Sequence, residues 1–370
     1  MILQIISIIA LFSLCFYLYY LMLFIKGLRT SQDSNSTRRP GVTVVIAARN
    51  EERNITHLLT ALVNQNYPTE LFEIIVANDG SSDDTAKVVE QFSKKWENVK
   101  LINIQNREKV ISPKKNALSQ AIENSTGDII VSTDADCLVG KQWLKAMVAC
   151  FNDNDMVVGL SQTKVTDWGK ARLLHKFEHF DFLAMFAAAA GAISSGKYFS
   201  CSGQNIAYKK EAFYAVGGFI KIKHLVSGDD VNLMQLFRKA GMKVKFAYSP
   251  HSFVYTKSIE NWSQLLSQRS RWTSNMKWQT ILNPEFYVYL VSTFFVVVLP
   301  FAVVFKYWWL AVGIVILRVI FELSFLRLGY KKFGEEKNRL KFYPLWFILQ
   351  PVYFILVAML EALNIFSWKK

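Results

Sequence analysis

Asp134 and Asp136 stand one residue apart in VSTDADCLVG (Val131 to Gly140), where an apolar run stops. Charge beside an apolar strand is costly to bury, so the pair is expected to face a ligand. If the chain is still extended at Asp134, side chains two apart point to the same side and both carboxylates address one ion. A small set of hard oxygen ligands suits Mg²⁺ or Mn²⁺, which keep some waters and complete their octahedron with substrate phosphates. A nucleotide diphosphate fits that role.

Other polar clusters share the pattern. Asp79 ends an apolar run in ANDGSSDDT, where Gly80 permits a tight turn and Ser81 to Thr85 can cap the next helix. A carboxylate there can accept from a base N–H or from ribose hydroxyls, while Ser81, Ser82 and Asp83 are read as caps only. SGDDVNLMQLFRKAG puts Asp229 and Asp230 directly before a helical pattern. A carboxylate so placed either caps the helix or deprotonates a hydroxyl. LLSQRSRWTSN carries Gln268, Arg271 and Trp272; Arg can clamp a diphosphate oxygen and Trp can wall a sugar or lipid. The competing reading is an interfacial helix with Arg and Trp at headgroup level. HKFEH places His175 and His179 on one helix face, but Glu178 adjoins the second His, whereas zinc proteases need it beside the first. A solvated or interfacial helix face is expected there, without zinc.

Short β-branched runs must position these groups: Val42 to Ala48, Glu73 to Asp79, Val99 to Ile104 and Asp128 to Asp134. Helix-compatible stretches separate them, the first with apolar residues at Ile55, Leu58, Leu59 and Leu62. Strand and helix in alternation predict an α/β fold with a mainly parallel sheet covered on both faces. Ligands of such sheets sit at the carboxyl ends of the strands, where Arg49, Asn50, Glu51, Asp79, Asp134 and Asp136 fall.

The 370 residues are 52% hydrophobic, too many for a wholly water-soluble chain. Ile2 to Ile25 lacks charge and is long enough to span a hydrocarbon core, and Lys26, Arg29, Arg38 and Arg39 after it argue for an uncleaved anchor. Apolar segments return at Phe286 to Phe305, Trp308 to Leu326 and Phe342 to Phe366, the last with Pro344, Pro351 and Glu361 and therefore either spanning or re-entrant. Phe182 to Gly196 is too short to span and is expected to be buried or interfacial. The positive-inside rule puts the Lys26 to Arg39 flank and the Arg327 to Lys341 loop in the cytoplasm, with Lys369 and Lys370 outside. Much of the net charge of +14 flanks apolar segments, which favours anionic headgroups over nucleic acid as its partner. Cys15, Cys137, Cys150 and Cys201 form no CxxC pair, so neither disulfide nor zinc is expected. The expected organisation is an anchor at 1–26, a linker at 27–40, a catalytic domain at 41–255, interfacial helices at 256–284 and a membrane region of three segments at 285–370.

In this order, the stretches resemble the inverting family 2 glycosyltransferases of GT-A fold, especially the membrane-bound branch of polysaccharide synthases and ceramide glucosyltransferase-like enzymes. VVIAARNEERNI matches the opening strand and its turn, IIVANDGSSDDT the D-D-G-S nucleotide motif, SPKKNALSQA the K-x-x-A-L-N and STDAD the D-x-D. CSGQNIAYKKEAFYAVGGF matches the acceptor-side segment, SGDDVNL the G-E-D-x-D-L and QRSRW the Q-x-x-R-W. The resemblance implies a Rossmann-like cytoplasmic domain with transmembrane helices at both ends, in the cell's inner membrane. It implies a metal-dependent transfer of sugar from a nucleotide-sugar donor, UDP-linked in expectation, to a lipid or glycan acceptor at the lipid bilayer, with Mg²⁺ or Mn²⁺ as cofactor.

By the same resemblance Ala47, Arg49, Glu51 and Asp79 hold the donor, and Lys114 lies near its base or phosphates. Asp134 reaches ribose or metal and Asp136 binds the metal. Asp230 is the general base with Asp229 beside it, and Gly203, Gln204 and Asn205 lie on the acceptor side. Gln268, Arg271 and Trp272 embrace the donor diphosphate and the acceptor end. Asn78 and Asn232 depart from acidic positions of the motifs and inherit no ligand role; Asp229 replaces a Glu, and register favours Asp230 as the base. Single transfer is preferred over processive synthesis because three C-terminal segments offer little protein to enclose a polymer. A haloacid-dehalogenase-like phosphatase is disfavoured because Leu138 stands where that motif needs Thr or Val. A non-catalytic binding protein is disfavoured because the acids and Q-x-x-R-W are retained.

Overall fold

The computed structural model describes residues 1–31, 36–105, 112–225, 227–274 and 276–363, with Met276 and Lys277 described by backbone alone. They form two compact units, one of Gln32–Lys164 with Ser200–Lys257, the other of Met1–Ser31, Val165–Phe199 and Ser258–Lys370. Residues 165–199 thus fall inside the expected 41–255 domain but cluster with the long helices.

The first unit is built on a seven-stranded sheet. Its strands in chain order are β1 (Val42–Ala48), β2 (Phe72–Asn78), β3 (Val99–Asn103) and β4 (Ile129–Ser132). After them come β5 (Leu138–Val139), β6 (Met156–Gly159), β7 (Ser161–Thr163), β8 (Ile206–Lys209), β9 (Val244–Ala247) and β10 (Val254–Thr256). The main sheet runs β3-β2-β1-β4-β8-β6-β9, and β5-β10-β7 form a small second sheet. In the main sheet β8 alone runs antiparallel to its neighbours. β2 is buried along its whole length and β1 at all but Ala47, as expected of central strands covered on both faces. Helix Glu52–Val63 lays Ile55, Leu58, Leu59 and Leu62 into that core, the residues its spacing predicted.

Register aligns the polar ends. Ala48 pairs with Asn78, and Val45 with Ser132, so the residues after β4 emerge beside the end of β1. Ser132 also pairs with Ile206 of the antiparallel β8, which brings Gly203 and Gln204 to the same edge. The D-x-D departs from its expected geometry: β4 ends at Ser132, and Cys137 N–H donates to Asp134 O at 3.1 Å, so Asp134 to Cys137 form a turn. Thr133, Ala135 and Cys137 are buried while Asp134 and Asp136 are half-buried. The turn therefore keeps both carboxylates on the outer side, although extended alternation is not what does it.

In the second unit, Ile2–Thr30, Pro284–Val303, Trp308–Lys332 and Lys337–Ala362 are long and apolar enough to cross a membrane. The last is helical without a break from Tyr343 to Ala362 across Pro351; Lys369 and Lys370 lie outside the described residues. Leu173–Ser194, which holds the segment expected to be buried or interfacial, is mostly buried. It crosses the first helix at two glycines: an added Cβ on Gly27 would meet Gly191 O at 1.9 Å, and one on Gly191 would meet Phe24 O at 2.5 Å. Backbones that close exclude any side chain at the crossing. Charge inside this unit is paired, with Arg318 donating to Glu322 at 3.0 Å and to Gln350 at 2.9 Å while Tyr17 and Tyr343 donate to Glu322.

The HKFEH stretch corrects its expected setting. His179 is buried, with its Nε2 3.1 Å from Arg339 Nη1 and 3.4 Å from Glu335. Glu178 is buried too and accepts from Ile259 N–H at 3.0 Å. An apolar stripe and long-range ion partners, absent from the local pattern, turn that face inward.

Candidate functional site

The turns after β1 and β2 are tied to each other. Asn50 takes a left-handed backbone (φ 56°), a conformation Asn tolerates better than most residues. Its amide donates to Ser81 Oγ at 3.1 Å, and its Oδ1 accepts from Ser82 N–H at 2.8 Å. Asp83 accepts from Glu52 N–H and from Thr85 N–H, so one carboxylate serves the starts of two helices, as its expected capping role requires. This clasp sets Arg49, exposed, 3.9 Å from the buried Asp79 carboxylate. Glu51 is held at the first turn of its helix, its Oε2 accepting from Asn54 at 2.6 Å. Asn78 is occupied structurally, donating to Asn103 at 2.8 Å and accepting from Ser81 N–H at 3.0 Å.

Lys114, in the first turn of helix Pro113–Glu123, joins the acids that the sequence scatters. Its Nζ lies 2.8 Å from Asp134 Oδ1 and 3.1 Å from Asp229 Oδ2. Asp230 opens helix Val231–Lys239, and both its oxygens are engaged. Val231 N–H donates to Oδ1 at 2.6 Å, and Gly203 N–H donates to Oδ2 at 2.8 Å. A Cβ placed on Gly203 would stand 3.1 Å from Asp229 Oδ2, 3.4 Å from Lys114 Nζ and 3.6 Å from Asp230 Oδ2, so the three charges surround one glycine.

The two adjacent acids are tuned apart. Burial alone would raise Asp229, but the Lys114 charge outweighs it and holds the carboxyl below its usual range. Burial and then the Asp229 charge push Asp230 up. Burial opposes the Lys114 charge, yet Asp134 and Asp229 hold its ammonium well above the ordinary range, so it stays a cation. The Lys114 cation thus favours the anion of Asp229 and leaves Asp230 as the more basic carboxylate.

Of the remaining expected residues, Ala47 is the one partly exposed position of β1, and Gln204 is half-buried beside Gly203. Asn205 does not join them. It is fully buried, accepting from Trp143 Nε1 at 3.0 Å and donating to the carbonyls of Leu160 and Ser252 at 2.8 Å each. Its amide ties two backbone carbonyls to the Trp143 indole, and both its N–H groups are taken. Asn232 is likewise fully buried.

Gln268, Arg271 and Trp272 belong to the other unit, half-buried on helix Trp262–Thr273. Gln268 and Trp272 are held by Arg269, an unspecified position of Q-x-x-R-W that the sequence pattern does not single out. Buried, it donates to Asp181 at 3.0 and 3.2 Å and to Tyr353 at 3.0 Å. It also donates to Gln268 Oε1 at 2.8 Å, and its guanidinium lies 4.2 Å from the centre of the Trp272 ring. The available signal was the three-residue helical spacing from Arg269 to Trp272.

The donor set fits a hard divalent cation. Among the described residues no three His, Cys, Asp or Glu side chains are grouped to hold a metal by themselves. Two half-buried carboxylates on one turn, one of them also on Lys114, suit an ion that takes its other ligands from a diphosphate and water. Asp134 and Asp136 would hold it.

The glycosyl transferase family 21 model matches residues 5–369, nearly the whole chain. The chain belongs to glycosyl transferase family 21. The motif order resembles family 2, so the family number differs from that expectation while glycosyltransferase of GT-A fold stands. The family 21 chain is 29% identical over 240 residues to the probable glycosyltransferase YdaM of Bacillus subtilis strain 168, a match spanning 64% of this chain and 56% of that protein. It is 24% identical over 259 residues to the poly-beta-1,6-N-acetyl-D-glucosamine synthase of Staphylococcus epidermidis, spanning 68% and 60%. The chain spans less than two thirds of the length of the curated relatives it matches. Among solved structures, mannosyltransferase PcManGT from Pyrobaculum calidifontis in complex with GDP-Man and Mn²⁺ shares the family 21 chain's fold. The TM-score is 0.62 at 19% identity, covering 97% of this chain and 99% of that one.

Proposed function

We propose that the chain transfers a sugar, with inversion at the anomeric carbon, from a nucleotide-sugar donor to a hydroxyl of a membrane lipid or envelope glycan. The observation that carries this is the pairing of two unlike acids. Asp230, pushed up and held by Gly203 and Val231, adjoins Asp229, which Lys114 ties to Asp134 of the D-x-D.

Asp230 takes the proton of the acceptor hydroxyl through its remaining lone pairs. The oxygen then bonds to the anomeric carbon from the face opposite the nucleotide, and the nucleoside diphosphate leaves with the electron pair of the broken bond. Lys114 favours the ionised form of Asp229 and pairs with Asp134 without repelling an anionic donor. Glu51 and Asp79 hold the nucleoside, with Arg49 and Ala47 beside them, and Gly203 and Gln204 border the acceptor; Asn205 is withdrawn from that role. Gln268, Arg271 and Trp272 are assigned to the donor diphosphate and acceptor end, as the motif resemblance implies. A divalent ion, Mg²⁺ or Mn²⁺, supplies neutralisation of the leaving diphosphate when bound. The solved mannosyltransferase contains GDP-Man and Mn²⁺; a UDP-linked hexose is assigned here from the motif resemblance.

Four long apolar helices and the basic flank of the first support an integral membrane protein with its sheet unit in the cytoplasm. The domain division proposed is an anchor, a sheet unit and a C-terminal membrane region. The test is incubation of the detergent-purified protein with radiolabelled UDP-glucose, UDP-N-acetylglucosamine or GDP-mannose, Mn²⁺ and a lipid extract, followed by chromatography. Label in a single-sugar product agrees with the proposal. Label left wholly in nucleotide overturns it, and a product that lengthens without dissociating reverses the choice of single transfer.

A further inference from the structure

Lys115 follows the acid-bridging Lys114 but points elsewhere, because consecutive helical residues diverge by about 100°. It is 3% exposed. Its Nζ donates to the carbonyls of Ile222 at 3.0 Å, Leu225 at 2.6 Å and Ser227 at 3.1 Å. A neutral amine has only two N–H groups, so three acceptors call for the ammonium form. Burial outweighs the charges of Asp229 and Asp230 and brings Lys115 down to about 8, which still leaves it charged at neutral pH.

The three carbonyls belong to the approach to the two acids. Ile222 ends the short turn Gly218–Ile222, and Ser227 directly precedes Gly228, Asp229 and Asp230. Gly228 has φ 79°, and an added Cβ there would meet the Asn232 amide at 2.3 Å, so the chain reaches Asp229 through a backbone shape available to glycine. Helix Val231–Lys239 begins directly after Asp230. A buried ammonium that collects the carbonyls of Ile222, Leu225 and Ser227 acts there as a bound cation would.

We propose that Lys115 is a positioning residue for the transfer reaction: it fixes the segment ahead of Asp229 and Asp230 and so sets where the base carboxylate stands, without touching donor or acceptor. This rests on the reading of Asp230 as the base. It assigns different work to neighbouring lysines, Lys114 neutralising the acids and Lys115 placing their backbone.

Lys115→Met keeps the stem and removes every donor. Turnover is expected to fall about a hundredfold, the scale on which a misplacement of about 1 Å acts on a reacting group. Binding of UDP with Mn²⁺, measured by calorimetry, should change by less than about threefold, since that side of the site is untouched. Amide hydrogen exchange should quicken in peptides from residues 222–232 and not in the strands. Lys115→Ala leaves room for a short amine, so propylammonium should restore at least about tenfold of its lost turnover while tetramethylammonium and propanol restore none. Should the Met variant fail to fold, the Ala variant purified in propylammonium decides: folded and active supports the assignment, unfolded or inactive removes it. Wild-type turnover in Lys115→Met, or equal losses of turnover and UDP binding with unchanged exchange, also overturns it. If the wild type transfers no sugar from any donor tried, the functional reading fails separately, and the exchange pattern alone judges the role of Lys115.

Discussion

Asp230 Oδ2 accepts from Gly203 N–H at 2.8 Å across 27 positions of chain, so its carboxylate is oriented from the segment before β8 as well as from its own helix. Asp230→Asn turns one oxygen into an NH₂ that cannot accept from a backbone N–H. Turnover should drop by a factor on the order of 10³ with UDP binding within a few-fold of wild type. Single-turnover kinetics alongside calorimetry checks this, and unaltered turnover removes Asp230 as the base.

Asp136→Ala acts at a different step. Losing one of two carboxylates on the turn should weaken the Mn²⁺-dependent part of UDP binding by about tenfold to a hundredfold, while binding in EDTA stays as it was. Titrations with and without Mn²⁺ read the two separately. Equal Mn²⁺ dependence in variant and wild type would take Asp136 out of the metal site.

Glu73 gives the sheet unit an acid-sensitive brace. Burial alone would raise its carboxyl, but Lys100 at 2.6 Å, the Thr126 amide and the hydroxyls of Thr43 and Thr126 outweigh burial and hold it down to about 2. A depressed carboxyl contributes fully above its unfolded value of 4.5 and loses that contribution as pH falls toward 2. Between about pH 6 and about pH 3 the advantage of wild type over Glu73→Gln should therefore shrink by roughly 2 kcal/mol. Denaturation of both proteins in detergent at the two pH values measures it; a constant difference would refute the brace.

Asp181→Asn should be costly in the helical unit, because it leaves the buried Arg269 without the carboxylate it meets at 3.0 Å. Breaking such a pair from one side costs about 3–5 kcal/mol, whereas replacing both partners with apolar residues of similar volume costs much less. Melting of Asp181→Asn against the double variant Asp181→Leu, Arg269→Met tests this. A single variant as stable as wild type would show that the pair is not needed to hold Arg269 against Trp272.

The strands and the helix Glu52–Val63 were legible because burial on both faces demands unbroken β-branched runs and a packed helix demands apolar residues three and four apart. The acids at strand ends were legible because an apolar run that stops at a carboxylate marks the place where the chain leaves the core. Legibility failed where a polar side chain finds its partner far along the chain. Asn205 looked like an acceptor contact and is instead a brace for Trp143, Leu160 and Ser252. His179 looked solvated, and Arg339 and Glu335 receive it in the interior.

The amino-acid order by itself determined the mainly parallel sheet, the four long apolar helices and the list of acids that reach the sheet's edge, since each depends on local period, length and where charge interrupts apolar runs. Only the tertiary structure decided which lysine meets which acid, that the D-x-D sits on a turn, and that Lys115 turns away to bind carbonyls of Ile222, Leu225 and Ser227. Those outcomes depend on packing between segments up to about a hundred residues apart, and neighbouring residues of one type, such as the two lysines, carry no local mark of which partner each will meet.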